Sequence, residues 1–427
     1  MKLIYIVISL LLILQSYSVY ALQNHPLAIL WDIDDEDVPE WLELERDLIA
    51  IDDILRPILE EEESFISSFG GTYINIFNRT IIVNTVDFSK VDELLALPQI
   101  KPYNNSLYFK EANNSLSQLK NNFVEITWLS KLKHAKNLYI LTDMEYNNIV
   151  LYFFDKQDNN TEFLNAVKPF NPTIFYFNQE ETPQTRIRPR RDVNNSKREI
   201  NSKLLSGDGI YNSANSGHCS VGFWAENIDK QDPLYIITAG HCFDYTSSTN
   251  DFYYLPWDWN ATQTNLSYIG PMIYRTEYPD FSVIQVDGED VSPSFAIRNT
   301  DNDQYKEFII TGDAPLSSHG VHACKSGYTT HFTCGFVKGL NGIFIREESF
   351  RSDLIVTDLY SESGDSGGPV MSFVSPQNLN SVVLHSIHIA GGAGLSAAHS
   401  IDKIFEDLKD LCCINRLKDL VLYLGNS

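Results

Sequence analysis

From Cys219 onward this 427-residue chain breaks into short runs rich in β-branched and aromatic residues: "CSVGFWA", "LYIITAG", "DFSVIQV", "EFIITG", "GVHAC", "FTCGFVKG", "LIVTDLY", "PVMSFV" and "SVVLHSIHIAGG". Turn residues separate them. Many short strands at this spacing predict a mainly β unit, a barrel or a sandwich. One helix is predicted at the end, over "SIDKIFEDLKDLCCINRLKDLVLYL", with Ser400 as its N-cap and apolar residues at helical intervals behind it.

The first half has another texture. "WDIDDEDVPEWLELERDLIAIDDILRPILEEEESFISSFG" carries apolar residues at three- and four-residue spacing and predicts helix. "GGTYINIFNRTIIVNTVDFSKVDELLAL" then reads strand, turn, strand, helix, and "NLYILTDMEYNNIVLYFFDKQDNNTEFLNAV" followed by "PTIFYF" repeats that order. Two tandem α+β units are expected. Between the halves lies "TPQTRIRPRRDVNNSKRE", a polar, basic, proline-bearing stretch in a protein of net charge −24. It reads as an exposed linker. Paired basic residues end at Arg191 and Arg198. An exposed secretory linker with such pairs is a substrate for a kexin- or furin-like processing protease.

The opening "MKLIYIVISLLLILQSYSVYA" has a lysine, an apolar run and a small-residue end. It predicts a signal peptide, residues 1–21, cut after Ala21. The apolar run is short for a membrane anchor. The expected division is 1–21 signal, 22–191 α+β, 192–427 β. The product is expected to be secreted and extracellular, with no membrane attachment after signal removal. Asn-x-Ser/Thr sites at Asn78, Asn104, Asn113, Asn159, Asn194, Asn260 and Asn265 are glycosylation candidates on that route. Both halves are acidic, which argues against a nucleic-acid partner.

Chemistry enters with "SESGDSGGP", where Ser366 sits among glycines. Such a turn suits a bare tight turn or a nucleophile that a substrate must reach. A serine hydroxyl needs a base, and the base needs an orienting group. His241, in "LYIITAGHCF", follows an apolar strand and a small-residue turn; its side chain ordinarily titrates at about 6.5. Asp280, in "YPDFSVIQV", opens an apolar strand and can enter the interior. Asp251, Asp258 and Asp290 are its rivals, in polar or turn-like segments.

The order His241, Asp280, Ser366 with "TAGHC" and "GDSGGP" in a β-rich half resembles the chymotrypsin-fold serine peptidases. "SGDGIYNSANSGHCSVGF", "CKSGYTTHFTCG" and "HSIHIAGGAG" are similar to the first strand, the disulfide-closed hairpin and the pocket strand of the streptogrisin and alpha-lytic branch. That resemblance spans about Leu204 to Leu411. It implies a double six-stranded β-barrel catalytic domain with a C-terminal helix. It implies a secreted serine endopeptidase made as a zymogen, acting on protein or peptide substrates without cofactor or metal. Ser366 is then the nucleophile, His241 the base and Asp280 its orienting acid. The N–H groups of Gly364 and Ser366 form the oxyanion hole, and Ala390, Gly391 and Gly392 pair with substrate. Cys219–Cys242 and Cys324–Cys334 are the implied disulfides. "FGGTYINIFNRTIIVNTVD" resembles the strand-turn-strand of that branch's pro-regions, which assist folding and inhibit the mature enzyme.

The sequence departs from the pattern in three places. The stretch "TDLYSESGDSGGP" has no cysteine shortly before the nucleophile, where family members often carry one, Ala390 stands where serine is usual, and Cys412 and Cys413 are adjacent. A new amino terminus at Leu204 could pair with Asp365; cuts at Arg191 or Arg198 instead leave Asp365 to an internal partner. Tyr360 implies a shallow pocket. Zinc at His218, Cys219, His241 and Cys242 is disfavoured by oxidising export. A G-x-S-x-G esterase is disfavoured because too little chain follows Ser366 to supply acid and histidine. The rival from another class is an inactive binding protein on the same fold.

Overall fold

The computed structural model describes residues 24–177, 202–214, 216–229, 233–243, 250–257, 266–347, 349–411 and 417–425. The signal segment with Ala21, the basic sites at Arg191 and Arg198, the sequons at Asn194, Asn260 and Asn265, Asp258, Cys412 and Cys413 lie outside the described residues.

In the first half, helix Val38–Glu61 turns Val38, Leu42, Leu48, Ile51, Leu55 and Leu59 inward. This is the stripe its periodicity predicts. Strand Phe69–Asn75 pairs antiparallel with Thr80–Thr85, and after helix Val91–Leu95 the strand Leu107–Glu111 adds in parallel. Helix Leu116–Leu132 follows, opened by a capping box between Ser115 and Gln118. The same order then returns: Leu138–Asp143 against Asn148–Phe153, helix Thr161–Val167, and parallel Thr173–Tyr176. The sequon residues Asn78, Asn104, Asn113 and Asn159 are exposed on this half.

The second half is mainly β and two-barrelled. One sheet runs Leu420–Leu422, Phe223–Asn227, Tyr235–Thr238, Asp280–Gln285, Tyr268–Glu277, Asp251–Leu255, Gly209–Asn212, Gly217–Ser220. In the other, six strands close into a ring: His322–Gly327, His331–Arg346, Ser349–Thr357, Leu395–Ser400, Ser381–Gly392 and Pro369–Phe373. The ring is incomplete along one strand: His322–Gly327 pairs with His331–Arg346 only as far as Phe336, which leaves one edge of Ile343–Ile345 outside the ring.

The halves share backbone. Strand Leu138–Asp143 also pairs with the His331–Arg346 strand, placing Ile140 opposite Ile343, Tyr139 opposite Phe344 and Leu138 opposite Ile345. Helix Val38–Glu61 adds polar anchors. Glu45 accepts the His322 amide at 2.9 Å, and Asp52 accepts the hydroxyls of Thr72 and Ser318.

The final helix is shorter than predicted. It ends at Lys409, and Leu420–Leu422 is instead a strand against Ala225–Asn227. Leu420 and Leu422 are buried while Val421 between them is exposed. That alternation belongs to a half-buried strand, and in so short an apolar run the two periods are hard to separate.

Candidate active site

His241 lies in the short turn Gly240–Cys242, just after strand Tyr235–Thr238. The disulfide Cys219–Cys242 ties this turn to the neighbouring strand end. Gly240 is required here: a Cβ would fall 2.2 Å from the Thr276 carbonyl oxygen and 2.9 Å from Asp280 Oδ1. The turn can therefore press onto Asp280, the first residue of strand Asp280–Gln285.

Three groups far apart in sequence form one line. The His241 amide donates to Asp280 Oδ1 at 2.9 Å, and His241 Nδ1 lies 2.8 Å from Asp280 Oδ2. His241 Nε2 lies 2.8 Å from Ser366 Oγ. Asp280 is 1% exposed. Burial alone would raise its carboxyl pKa; the charge and hydrogen bonds of His241, with the Arg351 guanidinium, outweigh burial and hold it below the usual carboxylate range. Of its rivals, Asp251 accepts the Tyr268 hydroxyl at 3.4 Å and Asp290 is exposed.

Ser366 is fixed from both barrels. The Ser220 amide donates to its carbonyl at 2.7 Å, and the next amide, Gly367, donates to the His388 carbonyl at 2.7 Å. The amides of Asp365 and Gly368 are likewise engaged, by Glu362 and Asp365 carbonyls. No such backbone bond from the Gly364 or Ser366 amide is present among the described residues. Gly364 has φ +102°, and a Cβ there would lie 2.2 Å from Thr329 Oγ1. Only glycine adopts that conformation without strain.

Asp365 faces away from the cleft into an internal partner. Its carboxylate accepts the amides of Thr329 and Thr330 at 2.9 Å, the Thr330 hydroxyl at 2.6 Å and the Glu362 amide at 3.0 Å. Lys325 supplies the counter-charge. Leu204, whose amino terminus was the alternative partner, is buried with its amide on the Ser292 carbonyl at 3.1 Å.

A cleft of about 320 Å³ opens beside Ser366 and is walled by His241, Arg351, His388, Ala390 and Gly391, among others. Gly392 ends the same strand, and the ring of Phe154, from the first half, lies against it. Tyr360 does not line this cleft; it is 44% exposed and its hydroxyl donates to Glu362. The shallow pocket inferred from Tyr360 therefore loses its basis. Sequence reading missed Arg351 and His388. Arg351 sits in "SFRSDLIV", where nothing marks it, whereas His388 alternates with Ala390 on the predicted pocket strand and could have been read as facing the same side.

Cys324 and Cys334 form the second disulfide, across a strand pair. Cys219 and Cys242 are bonded to each other, so the zinc donors considered from sequence are consumed. His218 stacks on Tyr328.

Residues 221–374 match the Trypsin-like peptidase domain family. Streptogrisin-C of Streptomyces griseus is 26% identical over 178 residues, 42% of this chain and 35% of that protein. Serine protease 1 of Streptomyces fradiae is 28% identical over 174 residues, 39% of this chain and 41% of that protein. The chain thus spans well under half the length of these curated relatives. Among solved structures, alpha-lytic protease homolog N4 aligns at 24% identity and a TM-score of 0.36, over 48% of this chain and 97% of that chain.

Proposed function

We propose, from a second half that is a chymotrypsin-fold serine peptidase of the streptogrisin and alpha-lytic branch, that this protein is a secreted serine endopeptidase made as a zymogen. The observation that carries the reading is the unbroken line Asp280–His241–Ser366, with both side-chain contacts at 2.8 Å.

In the proposed reaction Ser366 Oγ attacks the scissile carbonyl carbon while its proton passes to His241 Nε2. Asp280 holds Nδ1–H and stabilises the imidazolium that forms. The developing oxyanion takes hydrogen bonds from the amides of Gly364 and Ser366; removing one such donor typically costs about 10²–10³ in turnover. His241 then protonates the leaving amine as the C–N bond breaks. Water, deprotonated by His241, cleaves the acyl-enzyme and returns the hydrogen to Ser366. Ala390 and Gly391 line the cleft, Gly392 follows them at the end of the strand, and in this reading the three offer backbone to an extended substrate.

In this proposal residues 22–191 are a pro-region that inhibits and helps fold the peptidase, and cutting at Arg191 or Arg198 activates it. The shared sheet and the Phe154 ring against Gly392 support the inhibitory part. Slow formation of a non-local β topology gives a folding aid its purpose.

The test is labelling by a small fluorophosphonate of the chain secreted from a eukaryotic cell, before and after processing. Adduct on Ser366, absent from Ser366→Ala, supports the enzyme. An unlabelled processed product supports the inactive binding protein.

A further inference from the structure

Asp280 has a third partner that the triad scheme does not call for. Arg351 Nε lies 2.9 Å from Asp280 Oδ2, the oxygen that also meets His241 Nδ1. The Arg351 side chain is 16% exposed and Asp280 is 1% exposed, so water screens this contact little.

Arg351 is itself held. It stands on strand Ser349–Thr357 directly opposite Phe344, and its guanidinium carbon lies 6.0 Å from the centroid of that ring. Phe344 in turn packs under Tyr139 and Phe154, with centroids at 5.0 and 5.8 Å. Strand geometry and an aromatic floor thus place one cation beside one carboxylate oxygen, an ion pair in which Nε makes no hydrogen bond.

We propose that Arg351 is a positioning residue of the triad, fixing the Asp280 carboxylate in line with His241 and keeping it ionised. The inference rests on the serine-peptidase reading above. Arginine suits the task because it stays charged at all working pH values.

A second consequence follows from charge alone. A fixed cation beside Asp280 offsets part of the carboxylate's attraction for an imidazolium. Its removal therefore favours the charged, ion-paired form of the triad and is expected to move the acid limb of the reaction to higher pH. The other charged and titratable groups around the pair are few. His399 is buried on strand Leu395–Ser400 and kept neutral, its pKa lowered to about 4 by burial. Asp353 is exposed and accepts the Tyr278 hydroxyl; Arg346 and His388 line the cleft; Lys403 lies beyond His399.

The experiment is the rate of Ser366 labelling by a small fluorophosphonate against pH, on chain secreted and processed by its host, for the unaltered protein, Arg351→Gln and Arg351→Lys. Arg351→Gln is expected to move the acid limb up by roughly half to one pH unit and to lower the plateau rate about five-fold. Arg351→Lys keeps the limb near its original position. The midpoint of the limb does not depend on how many molecules fold, so a merely structural loss leaves it in place. An unchanged limb in Arg351→Gln, or an equal displacement in Arg351→Lys, overturns the proposal. Failure of the unaltered chain to label at any pH overturns the peptidase reading and this inference with it.

Discussion

Lys325 Nζ lies 3.0 Å from Asp365 Oδ2, with both side chains shut away from solvent. The residue before the nucleophile therefore carries its own counter-ion. Removing one member of a buried pair strands the other, typically at about 3–5 kcal/mol. Lys325→Met is expected to lower the urea midpoint of the secreted chain strongly. Because the pair is internal, products cut after Arg191 and after Arg198 are expected to react equally fast with a fluorophosphonate; an advantage confined to one end would contradict this.

The same pair sets an acid limit. Burial raises the Asp365 carboxyl, but Lys325, the Thr330 hydroxyl and nearby amides prevail and lower it from 3.8 to about 2. A lowered carboxyl pKa adds stability that is complete above the unfolded value and lost as pH falls through the folded one. Denaturation midpoints measured between pH 5 and pH 2 are expected to fall mainly below pH 4, and less so in Lys325→Met.

Ser366→Ala and His241→Ala are each expected to abolish peptide cleavage while circular dichroism stays native. Asp280→Asn keeps the shape but loses the charge, and a fall of roughly 10³–10⁴ in turnover is expected. Substantial cleavage by purified Ser366→Ala would refute the role given to that hydroxyl.

Replacing Arg191 and Arg198 together, with their neighbouring basic residues, is expected to leave a full-length chain that cleaves peptides poorly. Full activity of that uncut product would remove the pro-region reading while leaving the triad untouched.

Acid is expected to loosen the contact between halves. His25 of the first half is buried against Tyr305, Phe308 and Phe373 of the second, and its Nε2 lies 3.2 Å from the Leu379 carbonyl. Burial lowers its pKa from 6.5 to about 4, only partly offset by that carbonyl. Above pH 6.5 the ring is neutral docked or free. Between 6.5 and 4 the free form takes a proton that the docked form refuses, so docking weakens as pH falls, by up to about 3 kcal/mol. Urea titrations at pH 7 and pH 4.5 should show this loss, and His25→Phe should reduce it.

The site was legible because its chemistry is concentrated in turns whose neighbours are small. Gly240 beside His241 and Gly364 near Ser366 leave no room for another residue, and such constraints show in a linear string. Asp280 was legible through its place at the head of an apolar strand. Arg351 was not, since it stands on a strand of the other barrel whose residues mix exposed and buried positions, and only folding brings it to Asp280. The end of the chain misled for a local reason: Leu420, Val421 and Leu422 satisfy a helical stripe and a strand alternation alike, and the vacant edge at Ala225–Asn227 decides between them.

The joint between Leu138–Asp143 and Ile343–Ile345 outlasts any cut in the linker, since no covalent bond there is touched. Severing and parting are therefore separate events. In the proposed release of the first half, a row of amides and carbonyls flanked by Ile343 and Ile345, 1% and 4% exposed in the joined chain, would meet water. An uncovered apolar margin of that kind invites any extended peptide to lie down along it. Under the proposed processing, the second half would meet self-association as soon as it is free.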